Sequence, residues 1–312
     1  METFSIVQVP DNDAWNIENL GTKPKFWFRD EENERLLYKE ARPNTGEDWS
    51  EIIAEQLAAL LDMPHATYKL AVWQDTRGVV TQSLVPSGAS LLPGNVLLKA
   101  YMQNYPDNNI VSNFRNTLHT LTNIRKTLLN LSVGLPTYWN APLEIPNACE
   151  LMTGYFLLDA LIGNTDRHHE NWAVIKQATV ENKAHFYLAP TYDHASSLGC
   201  HLTDTERKDR LATRDTQRDI LAYTNKARSA IYAMETDIKP MKPLDVFRNA
   251  RDYAPDVGNY WLNRLETVSD ATMRSLFSYL PPERISPDAA EFAVQLLKIN
   301  RMQLLELREK IK

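Results

Sequence analysis

The sequence is poor in cysteine and has no excess of positive charge. Its 312 residues include two cysteines, Cys149 and Cys200, and neither belongs to a CxxC pair. This scarcity argues against a disulfide framework and against a cysteine-rich metal site, and it fits a reducing cytosol. The formal net charge is −6, so the surface as a whole is not suited to direct binding of nucleic acid.

Segments that would direct the chain to a membrane or hold it there are also missing. The N-terminus lacks the basic start and apolar run of a signal peptide. No stretch of about 18 apolar residues occurs, so we predict no membrane span. We therefore expect a soluble, cytoplasmic protein without a membrane partner.

Short strands dominate the patterns of the first third of the chain. Aromatic-rich runs separated by a charged turn indicate an antiparallel hairpin, and two more strands follow a helix that opens at Asp48. We place the turn between these last two strands at residues 76–78, where a glycine occurs. The predicted strands are residues 26–29, 36–41, 68–74 and 78–85.

Helical patterns dominate the remainder. Leucine and isoleucine spacing predicts helices at residues 109–133 and 150–162, and a cap-like Ser286 opens a terminal helix at residues 287–311. A sheet-rich part followed by a larger helical part indicates the α+β class with two lobes. We expect an N-terminal lobe at residues 1–86 and a helical C-terminal lobe at residues 87–312.

The most informative segment follows the apolar helix at residues 150–162. It carries Asp166 and Asn171 five positions apart, between that helix and an apolar strand. This is the offset between the catalytic Asp and the metal-binding Asn of a kinase catalytic loop. In such a loop the Asp accepts the proton of the substrate hydroxyl, while the Asn amide oxygen binds Mg²⁺ beside the phosphates.

A second carboxylate completes the pattern. Asp193 follows a short strand 22 positions after Asn171, where a kinase has its other magnesium-binding carboxylate. The tripeptide here is Asp-His-Ala, so the match to the usual Asp-Phe-Gly rests on order and role. A zinc hydrolase, suggested by His168, His169 and His194, is disfavoured because no H-E-x-x-H or H-x-x-E-H spacing occurs.

The run Gly-Asn-Thr-Asp-Arg-His at residues 163–168, followed by Asn171 and by Leu-Ala-Pro-Thr-Tyr-Asp at residues 188–193, resembles the HipA-like serine/threonine protein kinases. This family includes HipT-like toxins of bacterial toxin–antitoxin systems and short stand-alone kinases. The resemblance extends over residues 20–310. It implies a bilobal protein-kinase-like fold, ATP and Mg²⁺ as cofactors, a serine or threonine of a protein as the acceptor, and an antitoxin as a candidate partner.

The resemblance also assigns roles to residues of the helical part. It implies Asp166 as the catalytic base, with His168 beside the transferred phosphate. It implies Asn171 and Asp193 as the magnesium ligands.

In the N-terminal part, the resemblance implies a phosphate-covering loop at residues 21–25 that contributes Thr22 and Lys25. Lys39, on an apolar strand, would pair with the nucleotide phosphates. Its partner on the following helix would be Glu51, while Glu55, one turn later on nearly the same face, is the rival.

The connector between the lobes would bind adenine. The residues implied there are Gln82, Ser83 and Leu84, whose backbone groups would meet the edge of the base.

Two other functions are compatible with the sequence. The Asp-Arg-His pattern is also similar to that of phosphatidylinositol-type lipid kinases, so the acceptor would be a lipid or a small molecule. A nucleotide-binding regulator with little turnover is the other alternative, and the presence of Lys39, Asp166, Asn171 and Asp193 together argues against it. For a protein acceptor, we expect docking on the basic side chains of residues 203–218, which follow Asp193.

Overall fold

A computed structural model describes residues 3–10, 24–106, 115–178 and 183–308, and the backbone of residues 16–17. The strands are β1 (Ile6–Gln8), β2 (Asn16–Ile17), β3 (Lys25–Arg29), β4 (Arg35–Glu40), β5 (Tyr68–Trp73), β6 (Thr76–Gln82), β7 (Ala89–Pro93), β8 (Ala173–Ala178) and β9 (Ala184–Leu188). The helices are α1 (Glu47–Leu60), α2 (Gly94–Tyr101), α3 (Leu121–Asn130), α4 (Ala148–Ile162), α5 (Asp204–Ala212), α6 (Ile220–Lys226), α7 (Pro243–Tyr253), α8 (Pro255–Thr267), α9 (Asp270–Phe277) and α10 (Pro287–Leu305).

The first six strands form one sheet in the order β1-β5-β6-β4-β3-β2. The predicted aromatic hairpin is β3 and β4, in which Phe26 lies opposite Tyr38 and Lys25 opposite Lys39. Since successive side chains of a strand point to opposite faces, Tyr38 packs on one face of the sheet while Lys39 points to the other. The α+β class is confirmed by this sheet and the helices that follow it.

The turn between β5 and β6 lies at Gln74 and Asp75 and not at residues 76–78. Both residues have positive φ angles, 47° and 64°, as a two-residue type I′ hairpin turn requires. Gly78 lies inside β6 instead. A β-carbon there would approach the Lys39 carbonyl oxygen to 2.3 Å, so this glycine permits close strand packing.

A second sheet, β7-β8-β9, joins the strand before α2 to two strands that follow α4. In the described residues α3 begins at Leu121, later than predicted, because the Thr120 side chain caps it by accepting a hydrogen bond from the Asn123 N–H. The predicted start of α10 is confirmed, since the Ser286 hydroxyl accepts from the Ala289 N–H. No helix in the described part of the chain is long and apolar enough to span a membrane.

Helix α1 connects the six-stranded sheet to the helical part. Its Trp49, Ile53 and Leu57 are buried in the same apolar cluster as Leu70 of β5 and Leu158 of α4. A core shared in this way couples the position of α1 to both parts of the molecule, because a well-packed interior does not deform continuously.

A buried ion pair reinforces this connection. Asp48 on α1 accepts hydrogen bonds from Arg77 of β6, at 2.8–3.0 Å, and from Arg284, at 3.0 Å. Arg284 precedes α10 and also donates to the Ala71 carbonyl of β5, at 3.1 Å. The Asp48 and Arg284 side chains are 0% and 2% exposed, so loss of the Asp48 charge leaves Arg284 without compensation in the interior.

We predict that Asp48→Asn lowers the free energy of unfolding by about 3–5 kcal/mol, because it breaks a buried pair by removing one partner. Urea denaturation at neutral pH measures this. Asp209→Asn is the matched control, because its pair with Arg218 is 51% and 64% exposed, and its loss should cost about 0–1 kcal/mol. Equal losses in the two variants would contradict the proposed role of the buried pair.

Candidate active site

The loop that carries Asp166 begins where α4 ends. Gly163 ends the helix in the left-handed conformation, with φ 65°, which glycine adopts at little cost. The next residue, Asn164, is buried, and its amide donates to the Asp159 carboxylate at 2.8 Å. The oxygen of the same Asn164 side-chain amide accepts a hydrogen bond from the Asp166 N–H at 2.9 Å. The position of Asp166 is therefore fixed by the end of α4.

Arg167 holds this loop from the inside. Its guanidinium binds Asp159 of α4 through two hydrogen bonds of 2.8 Å. It also donates to the Asn171 carbonyl and, at 3.1 Å, to the Tyr192 carbonyl next to Asp193. Sequence reasoning gave Arg167 no role. Asp159 could have indicated this contact from the sequence. It is a carboxylate in the middle of a mostly apolar helix, and such a group is rarely buried without a partner.

The structure brings Asp166 and Asn171 of this loop into contact. The Asn171 amide nitrogen donates to the Asp166 carbonyl at 2.7 Å, so the amide oxygen is the group that Asn171 presents. His168 lies beside them, with its Nε2 3.6 Å from Asp166 Oδ1. Burial lowers the pKa of His168, although the nearby Asp193 and Glu170 carboxylates raise it. The imidazole is therefore neutral at neutral pH.

Lys39 joins three elements of the site. Its ammonium lies 2.9 Å from Asp193 Oδ1 and 3.3 Å from Glu51 Oε2. Burial disfavours the charged form of Lys39, but the two carboxylates outweigh this and hold its pKa well above the usual value. Burial likewise opposes ionisation of Glu51, yet Lys39 and a hydrogen bond from His194 lower the pKa of Glu51 to about 2. Lys39 and Glu51 are therefore both charged at neutral pH.

The choice between Glu51 and Glu55 is settled by distance. Glu55 accepts from the Gln56 amide at 3.0 Å, and its other oxygen lies 3.7 Å from His65. Burial raises the pKa of Glu55. The structure therefore pairs Lys39 with Glu51, one turn nearer the start of α1.

The backbone around Asp193 is held in an uncommon conformation. Asp193 has a φ of 59°, which few residues other than glycine adopt. Its N–H donates to the Tyr68 hydroxyl of β5 at 3.2 Å, and the next N–H, of His194, donates to Glu51 at 2.8 Å. Neither Tyr68 nor His194 was identified as a positioning residue from the sequence.

Of the two residues predicted to act in the phosphate-covering loop, the structure describes Lys25 but not Thr22. Lys25 opens β3 opposite Lys39, and it is close enough to His168 for its charge to lower the pKa of that side chain. Thr22 lies outside the described residues.

The predicted connector follows β6. Gln82 is the last residue of that strand, opposite Leu36, and both Gln82 and Ser83 are exposed. Leu84 packs against the main core. Ser83 and Leu84 lie in the chain between the end of β6 and the start of β7.

The donor set suits a hard divalent cation. Asn171 offers an amide oxygen and Asp193 a carboxylate, which are the ligands that Mg²⁺ prefers, with water and phosphate oxygens supplying its other positions. Among the described residues, no group of three or more His, Cys, Asp or Glu side chains is arranged to bind a metal. A zinc-type cage is therefore not found in the described part of the chain.

The basic residues of 203–218 are less available than we expected. Arg207 is buried and donates to Asp204 and to the Gly199 carbonyl. Lys208 pairs with Asp288, at 3.1 Å, and Arg218 with Asp209, at 2.6 Å. Docking of an acceptor on Arg207 was therefore a wrong prediction, because this side chain stabilises the start of α5.

Comparison with solved structures shows the fold. The Helicobacter pylori proinflammatory kinase CtkA has 16% sequence identity and a TM-score of 0.70, covering 94% of this chain and 92% of that one. HipA of Shewanella oneidensis, in a complex of a toxin–antitoxin system with HipB and operator DNA, has 12% identity and a TM-score of 0.52, covering 96% and 69%. No protein-family model and no curated protein matches the sequence. The predicted HipA-like kinase fold is confirmed.

The pKa shifts at Glu51 and Glu55 predict opposite effects on stability. The depressed pKa of Glu51 means that its carboxylate stabilises the fold above pH 4.5 and that this contribution is lost as the pH falls toward 2. Glu51→Gln should therefore lose stability at pH 7 and show a weaker acid dependence below pH 4.5. The raised pKa of Glu55 makes its charge unfavourable, so Glu55→Gln should lose no stability at pH 7. Urea unfolding across this pH range measures both variants, and the same loss at pH 7 in each would contradict the assignment.

Proposed function

We propose that this chain, which has a HipA-like kinase fold, is an ATP- and Mg²⁺-dependent serine/threonine protein kinase of the cytoplasm. The observation that carries the proposal is the buried contact of Lys39 with both Glu51 and Asp193. A lysine on the sheet, a glutamate on the helix and a metal-binding aspartate are the groups that a kinase must bring together. Here they adjoin the loop of Asp166 and Asn171.

The residues of this loop have different roles in phosphoryl transfer. The acceptor hydroxyl oxygen forms a bond to the γ-phosphorus of ATP, and the bond from that phosphorus to the oxygen of ADP breaks. Asp166 accepts the proton that the hydroxyl loses. Neutral His168, beside it, donates a hydrogen bond to the transferred phosphate. Asn164 holds Asp166 in place, and Arg167 ties their loop to Asp159 of α4.

Charge neutralisation comes from the other residues. Lys39 pairs with the phosphates of the nucleotide, and Glu51 keeps its ammonium in position. Asn171 and Asp193 would hold Mg²⁺, which would supply positive charge to neutralise the phosphates. Lys25 adds a positive charge near His168. Transfer thus depends on positioning and charge more than on covalent chemistry by the protein.

The kinase proposal also includes the position of the nucleotide and a candidate partner. We place the nucleotide between an N-lobe of residues 1–86 and a C-lobe of residues 87–312, with Thr22 on the phosphate side and the backbone of Gln82, Ser83 and Leu84 on the adenine side. By analogy with the HipA complex, which includes HipB, an antitoxin is a candidate partner for a toxin role of this chain.

We predict that Asp166→Asn reduces transfer of labelled phosphate from ATP to protein by about 10²- to 10⁴-fold, the usual contribution of a general base. The substitution is nearly isosteric, so nucleotide affinity should be unchanged, and this serves as the control for folding. The assay uses γ-labelled ATP and a cell extract. A wild-type rate in the variant would show that Asp166 is not the base, and label in lipid or metabolites alone would favour the rival acceptors.

We predict that Asp193→Ala abolishes the magnesium dependence of nucleotide binding, whereas Asn171→Ala weakens it less, because a carboxylate binds the dication more strongly than an amide. Calorimetry with a non-hydrolysable ATP analogue, with and without Mg²⁺, compares the two variants. The assignment fails if Asp193→Ala and the wild type bind the analogue equally well in Mg²⁺.

A further inference from the structure

A cavity of about 370 Å³ opens behind the loop of Asp166. Its wall includes Gly163 and Thr165, the second of which directly precedes Asp166 in the chain. The opposite walls come from α6, from the start of α7 and from α10. Its volume lies within the range of about 300–1,000 Å³ that is typical of ligand sites.

The charge of the cavity is unusual for this acidic protein. Lys226, Arg228 and Lys242 line it, and the described residues of its wall include no Asp or Glu. Lys226 donates to the Gln217 carbonyl, at 2.9 Å. Arg228 donates to the carbonyls of Asn225 and Ala227. Within the described part of the chain, none of the three cations pairs with a carboxylate.

The start of α7 adds to this positive potential. Lys242 and Pro243 are its cap and first residue, and no side chain caps it. Pro243 has no N–H, and the Asp245 and Val246 N–H groups donate to the Lys242 carbonyl at 3.0 Å. The partial positive charge of the helix N-terminus remains, and the Asp245 carboxylate in this turn is paired with Arg248. Leu244, in this first turn, also lines the cavity. Three cations and a helix N-terminus that converge on one cavity are suited to bind an anion.

The cavity lies next to the proposed active site, which suggests that the anion belongs to the acceptor. Thr165 donates through its N–H and its hydroxyl to the Ser196 carbonyl, at 3.2 and 3.4 Å. One wall residue, Thr165, is therefore linked by hydrogen bonds to the segment that follows Asp193, although Ser196 itself does not line the cavity. Thr165 lines the cavity and directly precedes Asp166, so we expect the residues near the acceptor hydroxyl, each spanning about 3.3 Å when extended, to pass this wall.

We infer that this cavity binds an acidic side chain of the acceptor protein, close in sequence to the serine or threonine that receives the phosphoryl group. The inference rests on the proposed kinase function and narrows its substrate to hydroxyls in acidic segments. It also moves the docking site from the basic residues of 203–218, several of which are already paired within the protein, to Lys226, Arg228 and Lys242.

The test uses two peptides, one with glutamates around an acceptor serine and one with glutamines at the same positions. The wild type should phosphorylate the glutamate peptide with a kcat/KM about tenfold higher, through a lower KM. Lys226→Gln combined with Lys242→Gln should remove this preference. Lys239→Gln, an exposed neighbour that does not line the cavity, is the matched control and should keep it. Arg228 is left intact because it binds carbonyls at the end of α6.

A second measurement separates this inference from the proposed function. Fluorescence anisotropy follows binding of the glutamate peptide with its serine replaced by alanine, which requires no transfer. Phosphorylation of both peptides without preference, or a preference that survives in the double variant, would overturn the inference and leave the kinase proposal standing. Phosphorylation of neither peptide would count against the kinase proposal.

If neither peptide is phosphorylated, binding of the alanine peptide tests the inference. Binding that is lost in the double variant supports an acidic-segment site, and no binding to the wild type overturns it. Inorganic phosphate is added as a competitor in the same assay. Tight binding of phosphate together with no binding of the peptide would assign the cavity to a small anion and contradict the acceptor role.

Discussion

The site depends on one buried interaction, the contact of the Lys39 ammonium with the carboxylates of Glu51 and Asp193. These three residues come from a strand, a helix and the segment after β9, which are 12 and 142 residues apart in sequence, as 51 minus 39 and 193 minus 51 show. A buried ammonium is costly unless it is paired. The position of α1 relative to the helical part of the chain is therefore constrained by charge as well as by apolar packing.

Other contacts of α1 act in the same direction. The Ser50 hydroxyl donates to the Ala195 carbonyl at 2.7 Å, the Gly46 N–H donates to the Cys200 carbonyl at 2.8 Å, and Asp48 binds Arg284. Each of them ties the first turns of α1 to residues beyond Asp193 in the sequence. The pairing of lysine with glutamate, which many kinases form on activation, is present in this structure.

Some of this arrangement could be predicted from the sequence and some could not. The spacing of Asp166, Asn171 and Asp193 reports local order along the chain. In the structure Asn171 contacts Asp166, and Arg167 joins their loop to the carbonyl next to Asp193. The choice of Glu51 over Glu55 depends on how far α1 extends past the sheet, which helical periodicity does not encode. The availability of basic residues is also a tertiary property: Arg207 is buried, while Lys226, with the same charge in the sequence, lines an open cavity.

The most direct test is a crystal structure of the protein with Mg²⁺ and a non-hydrolysable ATP analogue. We expect the metal between the Asn171 amide oxygen and the Asp193 carboxylate, the phosphates beside Lys39, and the γ-phosphate facing Asp166, with Glu51 still in contact with Lys39. A nucleotide bound elsewhere, or bound here without a metal at Asp193, would contradict the kinase assignment.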